Sequence, residues 1–204
     1  ERERGSALSS YSGGIEFRDI SFNYHNDNNP LYEQINIKLE PGSILIVTGS
    51  NGTGKTTLAR MIVGLLEPTR GNLLVDGLDI QQAASEWWRK QVTYLPQEPA
   101  LIGGTIGDNI LINNPEAGSE RLNQIIDAVG LRRFVDESEA GVESPIQDNG
   151  WRLSEGIRRR IALARALITN GKLVVFDEPT ESFDAAGVKV VHNVLSTLAK
   201  AGST

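Results

Sequence analysis

Ile44-Leu45-Ile46-Val47-Thr48-Gly49-Ser50-Asn51-Gly52-Thr53-Gly54-Lys55-Thr56 is the stretch that decides the fold of this chain. Four apolar residues in a row read as a strand buried on both faces. The eight that close the stretch, Gly49 to Thr56, match G-x-x-x-x-G-K-[ST] in full. An apolar helix pattern follows, expected from near Gly54 to about Leu66, with Pro68 and Gly71 ending the unit. Strand, glycine loop and helix in this order make a cradle for phosphate. Glycines admit backbone angles that turn successive N–H groups inward, and the helix N-terminus adds positive potential beneath them. Gly49, Ser50, Asn51, Gly52, Thr53 and Gly54 form the cradle, with Thr57 completing the nucleotide-binding set. Lys55 is placed to reach the β- and γ-phosphates, and the Thr56 hydroxyl to ligate Mg²⁺. An ordinary glycine-rich turn shares the composition but not the flanking strand and helix.

Working outward, Leu173-Val174-Val175-Phe176 is a second buried strand, and it ends in Asp177-Glu178. In a phosphate-loop fold the neighbouring strand carries an acid that holds Mg²⁺, and Asp177 suits that role through water. Glu178 lies one step beyond the strand, at the end where open α/β sheets bind ligands. It is placed to polarise an attacking water as general base. A pair of solvated carboxylates at a strand end is the alternative.

The remaining pattern alternates strands and helices. Ile15–Phe22 and Ile35–Leu39 alternate apolar and polar residues, as half-buried strands do. Short strands are expected at Leu73–Val75 and Val92–Leu95, with a helical turn at Ser85–Gln91 between them. Ser119–Gly130 carries Leu122, Ile125, Ile126 and Val129 at helical spacing. Glu139–Gly150 reads as a loop. Ser154 reads as the N-cap of a helix whose Ile157, Ile161, Ala164 and Ile168 share one face. A last helix is expected from Ala185 to about Ala199. The fold class is therefore α/β, a phosphate-loop NTPase core with a parallel sheet, an N-terminal antiparallel β subdomain and a helical subdomain at about 100–170. The first 14 residues, polar and rich in Gly and Ser, read as a linker, and residues 15–204 as one domain.

Composition narrows the function classes. The 204 residues carry a formal net charge of −6, which opposes a bare nucleic-acid binder. There is no cysteine, so neither a disulfide framework nor a Cys-based zinc site is possible, and with only two histidines the composition argues against a His-rich metal site. No apolar run approaches the roughly 20 residues that span a bilayer.

The ordered motifs resemble one family, the nucleotide-binding domains of ATP-binding cassette (ABC) transporters, over essentially the whole chain, and most closely their exporter branch. The matching segments are Gly49–Thr56, Tyr94-Leu95-Pro96-Gln97, Gly104-Thr105-Ile106-Gly107-Asp108-Asn109-Ile110, Leu153-Ser154-Glu155-Gly156 and Asp177-Glu178-Pro179-Thr180. No N-K-x-D guanine motif is present, so the cofactors implied are ATP and Mg²⁺. By this resemblance Tyr24 stacks on adenine, and Gln97 contacts Mg²⁺ or the attacking water. Ser154 and Gly156 face the ATP of a second, opposed domain, and Asp184 lies in a loop crossing that interface. Each of Tyr24, Gln97 and Asp184 has a plainer reading: a strand tyrosine, a loop glutamine, the N-cap of the last helix. Asp148-Asn149-Gly150 resembles an exporter segment that touches the transmembrane domains, usually G-E-x-G, with Gln147 and Asp148 in place of its Gly and Glu; a plain surface loop is the alternative.

The resemblance implies an ATPase that powers export through an attached transmembrane domain, on the cytoplasmic side of a membrane, the bacterial inner membrane foremost. It implies a head-to-tail pair with a second cassette, homo- or heterodimeric, and no nucleic-acid partner. Departures qualify it. Glu155 and Ile157 stand where the L-S-G-G-Q signature has glycine and glutamine, and Glu155 near a phosphate is repulsive. The alternative function is therefore a regulatory, poorly hydrolysing half of a heterodimer. The loop Glu181-Ser182-Phe183-Asp184 fits the usual S-A-L-D loosely. The family's switch histidine falls beyond Thr204, so the fragment alone is expected to be weak. His192 reads as a surface or satisfied helix histidine and His25 as a turn residue, Arg158-Arg159-Arg160 as the polar face of the signature helix, and Trp87 and Trp88 as packing rather than base stacking.

Overall fold

A computed structural model describes residues 6–24 and 29–204; His25 lies outside them. The chain divides into two compact units. The first comprises residues 1–92, 171–177 and 199–204, and the second 93–170 and 178–198.

The first unit is built on an antiparallel sheet of four strands in the order β2-β1-β3-β4. They are β1 (Ile15–Phe22), β2 (Tyr32–Leu39), β3 (Arg70–Val75) and β4 (Leu78–Asp79). Alternation in β1 buries Ile15, Phe17, Ile20 and Phe22, the one-sided burial expected of such a sheet. Ile15 faces Leu39 on one side and Val75 on the other. Helix α1 (Lys55–Ile62) follows the phosphate loop and buries Leu58, Ala59 and Met61. It stops one turn short of the expected Leu66, because Gly64 turns into a positive φ and the amides of Gly64, Leu65 and Leu66 fold back onto Met61 and Arg60. Helix α2 (Ser85–Gln91) places Trp88 in the core, its indole N–H on the Ile62 carbonyl and its ring edge-on to Tyr11. The two tryptophans thus pack, as expected. The stretch read as a linker is anchored from Ser6 onward. Ser6 bridges Ala83, and the amides of Ser12 and Gly14 donate to Asp76.

The apolar run at the centre of the sequence reading departs from expectation. Ile44, Leu45, Ile46 and Val47 form no strand, and they are 69%, 40%, 79% and 45% exposed. A strand requires a neighbour for its N–H and C=O groups, and a two-sided core requires layers on both faces. Hydrophobicity in the sequence specifies the wish for burial but not the neighbour that supplies it. The second buried strand does form: β8 (Leu173–Phe176) lies in a two-stranded parallel sheet. Thr204 lies alongside its start, donating its N–H to the Lys172 carbonyl and accepting from the Val174 N–H.

The second unit is mainly helical. Strand β5 starts at the unit boundary (Val92–Leu95). A two-residue strand β6 (Gly104–Thr105) pairs antiparallel with β7 (Pro145–Ile146). Four helices follow in order: α3 (Ile106–Leu111), α4 (Ser119–Ala128), α5 (Arg132–Glu137) and α6 (Glu155–Thr169). Helix α6 is the hub and packs against α3 and α4. Ile161, Ala164 and Ile168 are buried on it, as their spacing predicts, and α4 buries Leu122, Ile125 and Ile126. Helices α3 and α5 escaped the periodicity reading because each has only six residues. Thr105 and Asp108 nevertheless form a capping box at the start of α3, with both bonds made. The last helix, α7 (Ala185–Lys200), agrees with expectation to one residue.

Candidate functional site

In the first unit the phosphate loop leads directly into α1. Gly54 stands just before the helix with φ of 94°, a left-handed conformation that a side chain would strain. A Cβ there would also collide with the Tyr32 hydroxyl, which donates to the Gly54 carbonyl. No side chain caps α1 and no acid lies in its first turn. The helix start therefore keeps its positive potential, as an anion site needs. Thr53 closes the loop by donating its hydroxyl to the Ser50 carbonyl at 2.8 Å. The Lys55 ammonium curls over the loop and donates to the carbonyls of Gly49 at 2.7 Å and Ser50 at 3.0 Å. A lysine held on neutral carbonyls is poised to exchange them for a phosphate, a stronger, charged acceptor.

Tyr24 lies beside this loop. Its hydroxyl is 2.6 Å from that of Thr57, its ring is edge-on to Phe22, and 47% of it stays exposed. An open aromatic face tethered at the start of α1 can receive a flat base. Tyr32, which locks Gly54, was not foreseen; no short motif marks a tyrosine that reaches across from β2.

At the end of β8, Asp177 is 5% exposed and its Oδ2 has no hydrogen-bond partner. A buried carboxylate oxygen left unpaired is costly, and a water bound to a cation would satisfy it. Among the described residues no cluster of three or more His, Cys, Asp or Glu side chains could hold a metal. A single buried carboxylate beside a phosphate site is a donor of the kind Mg²⁺ accepts, since that ion takes one or two protein ligands and completes its shell with water and phosphate. Thr56 and Asp177 are the residues that suit it. Glu178 follows with φ of 47°, a left-handed backbone unusual for a non-glycine residue and of the kind that concentrates at functional sites.

The second unit holds the other predicted residues. Ser154 is the N-cap of α6, its hydroxyl accepting from the Ile157 amide at 3.3 Å. No atom lies within 4 Å of where a Cβ on Gly156 would be, so the start of α6 presents an open surface. Gln97 donates its side-chain amide to Glu181 at 3.0 Å. Asp184 accepts from the Gly187 amide at 2.7 Å and so caps α7. Asp148 pairs with Arg152 at 2.9 Å, and Asp148, Asn149 and Gly150 all take positive φ. His192 is exposed, as expected.

The basic run on α6 is not a solvated face. Arg159 is 3% exposed, Arg160 donates to the Val129 carbonyl at 2.8 Å, and Arg158 lies over the Trp151 ring. Helix periodicity places Arg159 two residues before the buried Ile161, and burial there is secured by hydrogen bonds rather than hydropathy. Glu155 is likewise not the bare charge its sequence position suggests. A hydrogen bond from Ser182 and the nearby Arg159 guanidinium hold its carboxyl below the ordinary range. Asn109 and Arg165, also unforeseen, bind each other at 2.7 Å in the interior, where Arg165 also reaches the carbonyls of Ala100 and Asn109. Burial lowers the pKa of Arg165.

Known proteins account for this combination. The model of the family described as "ABC transporter" matches residues 32–181. The ABC transporter B family member 13 of Arabidopsis thaliana is 32% identical over 202 residues, 99% of this chain and 16% of that protein. The alpha-hemolysin translocation ATP-binding protein HlyB of Escherichia coli O157:H7 is 32% identical over 98% of this chain and 28% of its own length. The ATP-dependent lipid A-core flippase of Chromobacterium violaceum is 33% identical over 98% of this chain and 34% of its own length. The chain thus spans about a third or less of the relatives it matches. Among solved structures, a bacterial Atm1-family ABC exporter with ATP bound superposes with a TM-score of 0.86 at 26% identity, covering 98% of this chain and 34% of that one. By its motifs, its fold and these relatives, this chain belongs to the ABC transporter family.

Proposed function

We propose that the chain binds Mg-ATP on the loop Gly49–Thr56 and hydrolyses it to ADP and phosphate, driving export through a transmembrane domain. Lys55 moves from the loop carbonyls to the β- and γ-phosphates. The backbone from Gly49 to Gly54 and the start of α1, with Thr56 and Thr57, hold the phosphate oxygens. Tyr24 stacks on the adenine. Bound Mg²⁺ neutralises phosphate charge; Thr56 ligates it, Asp177 holds it through water, and Gln97 contacts it or the attacking water. Glu178 takes the proton of that water. Ser154 and Gly156 serve the ATP of a second cassette, packed head to tail. The names of the relatives, an ATP-binding translocation protein and an ATP-dependent flippase, support a place on the cytoplasmic face of a membrane.

The observation that carries this reading is the buried, unpartnered Oδ2 of Asp177, in the same compact unit as a complete phosphate loop. The poorly hydrolysing alternative rests on Glu155 and Ile157 of the altered signature; the charge of Glu155 is met by Ser182 and Arg159, and no observation favours that alternative. The test is the Mg²⁺ dependence of ATP turnover in the full-length protein. Asp177→Asn should raise the Mg²⁺ needed for half-maximal turnover about 10–100-fold. An unchanged requirement would remove Asp177 from the metal site.

A further inference from the structure

Two acids of the second unit stand where the family pattern carries no charge. Glu155 replaces the first glycine of the signature, and Glu181 replaces the serine of S-A-L-D. Both meet the same buried cation. The Arg159 side chain is 4% exposed; its Nε lies 3.6 Å from Glu155 Oε1 and its Nη2 3.4 Å from Glu181 Oε2. The shortest contact of this guanidinium is to neither acid: Nη2 donates to the Gln97 main-chain carbonyl at 2.7 Å. Gln97 in turn donates its side-chain amide to the same Glu181 oxygen at 3.0 Å. Gln97 is thus held at both ends, its carbonyl by Arg159 directly and its amide by the carboxylate that Arg159 anchors. Nη1 of Arg159 has no hydrogen-bond partner. A guanidinium buried with part of its valence unmet is hard to explain as a device for stability.

We propose that Arg159 is a positioning residue for Gln97, setting the conformation from which Gln97 reaches the metal or the attacking water; this rests on the role given to Gln97 above. Glu155 and Glu181 are its counter-charges, so the departures from the signature and from S-A-L-D form one device. Arg159 acts through Gln97 rather than on the nucleotide itself. Its effect passes through the loop at Gln97 and through the amide parked on Glu181, which must be released when Gln97 turns to its task.

The test uses the full-length protein with Arg159→Gln and Arg159→Lys, each also in a Gln97→Ala background. Hydrogen exchange over the segment containing Gln97 and Glu98 reads positioning without ATP. Arg159→Gln should speed it about ten-fold, the scale of one lost charge-assisted hydrogen bond. Arg159→Lys, which keeps one donor for the carbonyl, should fall between. Arg159→Gln should also lower kcat about ten-fold and leave the KM for ATP within two-fold, roughly the signature of an interaction made only in the transition state. In the Gln97→Ala background that loss of kcat should vanish. Unchanged exchange overturns the proposal whatever happens to turnover, and so does a kcat loss that persists without Gln97. If the native protein turns over no ATP, the proposed function fails, and exchange alone then decides whether Arg159 positions the loop.

Discussion

Gly54 shows how narrowly a single position can be specified. Its φ of 94° needs glycine, and the Tyr32 hydroxyl fills the space a Cβ would take. Gly54→Ala should therefore cost about 1–2 kcal/mol from the left-handed backbone alone. It should also loosen ATP binding by displacing the start of α1. Denaturant unfolding measures the first and nucleotide titration the second. A variant as stable as the parent would mean that the loop relaxes freely around the change. Glycine in the motif was legible in the sequence; the tyrosine that makes it obligatory was not. The same holds for Arg159. Sequence spacing sees a cation among cations, while only the folded chain shows the Gln97 carbonyl and two carboxylates around it. Polar burial depends on partners distant in sequence, and no local pattern records them.

At the scale of elements, the helices with long periodic faces were read nearly to the residue. For α6 and α7 the cap residues Ser154 and Asp184 mark the start. The six-residue helices α3 and α5 escaped, since each holds less than two turns of pattern. The central apolar run shows the opposite failure: strong pattern, no strand. Ser154 offers a prediction at this scale because it carries two roles, a cap within the chain and a proposed contact to a second cassette's ATP. Ser154→Ala should cost about 1 kcal/mol of stability as a lost N-cap. Ser154→Asp should restore that stability, since aspartate caps as well, yet leave turnover low because its charge opposes a phosphate. Stability by thermal unfolding and turnover by phosphate release separate the two. If Asp restores both, Ser154 is a cap and nothing more.

For the whole molecule, motif order carried the most information. Five ordered segments pointed to the family, and the family model over residues 32–181 and the 0.86 TM-score agree. The chain spans about a third or less of its relatives. No helix among the described residues is long and apolar enough to cross a membrane. The central proposal concerns chemistry at the end of β8: that Glu178, in its left-handed backbone next to Asp177, whose buried Oδ2 has no hydrogen-bond partner, acts as the base that activates water. The direct measurement is ATP turnover by the full-length protein carrying Glu178→Gln, with ATP affinity measured alongside. Turnover should fall at least about 100-fold, the lower scale of general-base catalysis, with ATP still bound and the two cassettes held together. Turnover equal to that of the parent protein would contradict the assignment.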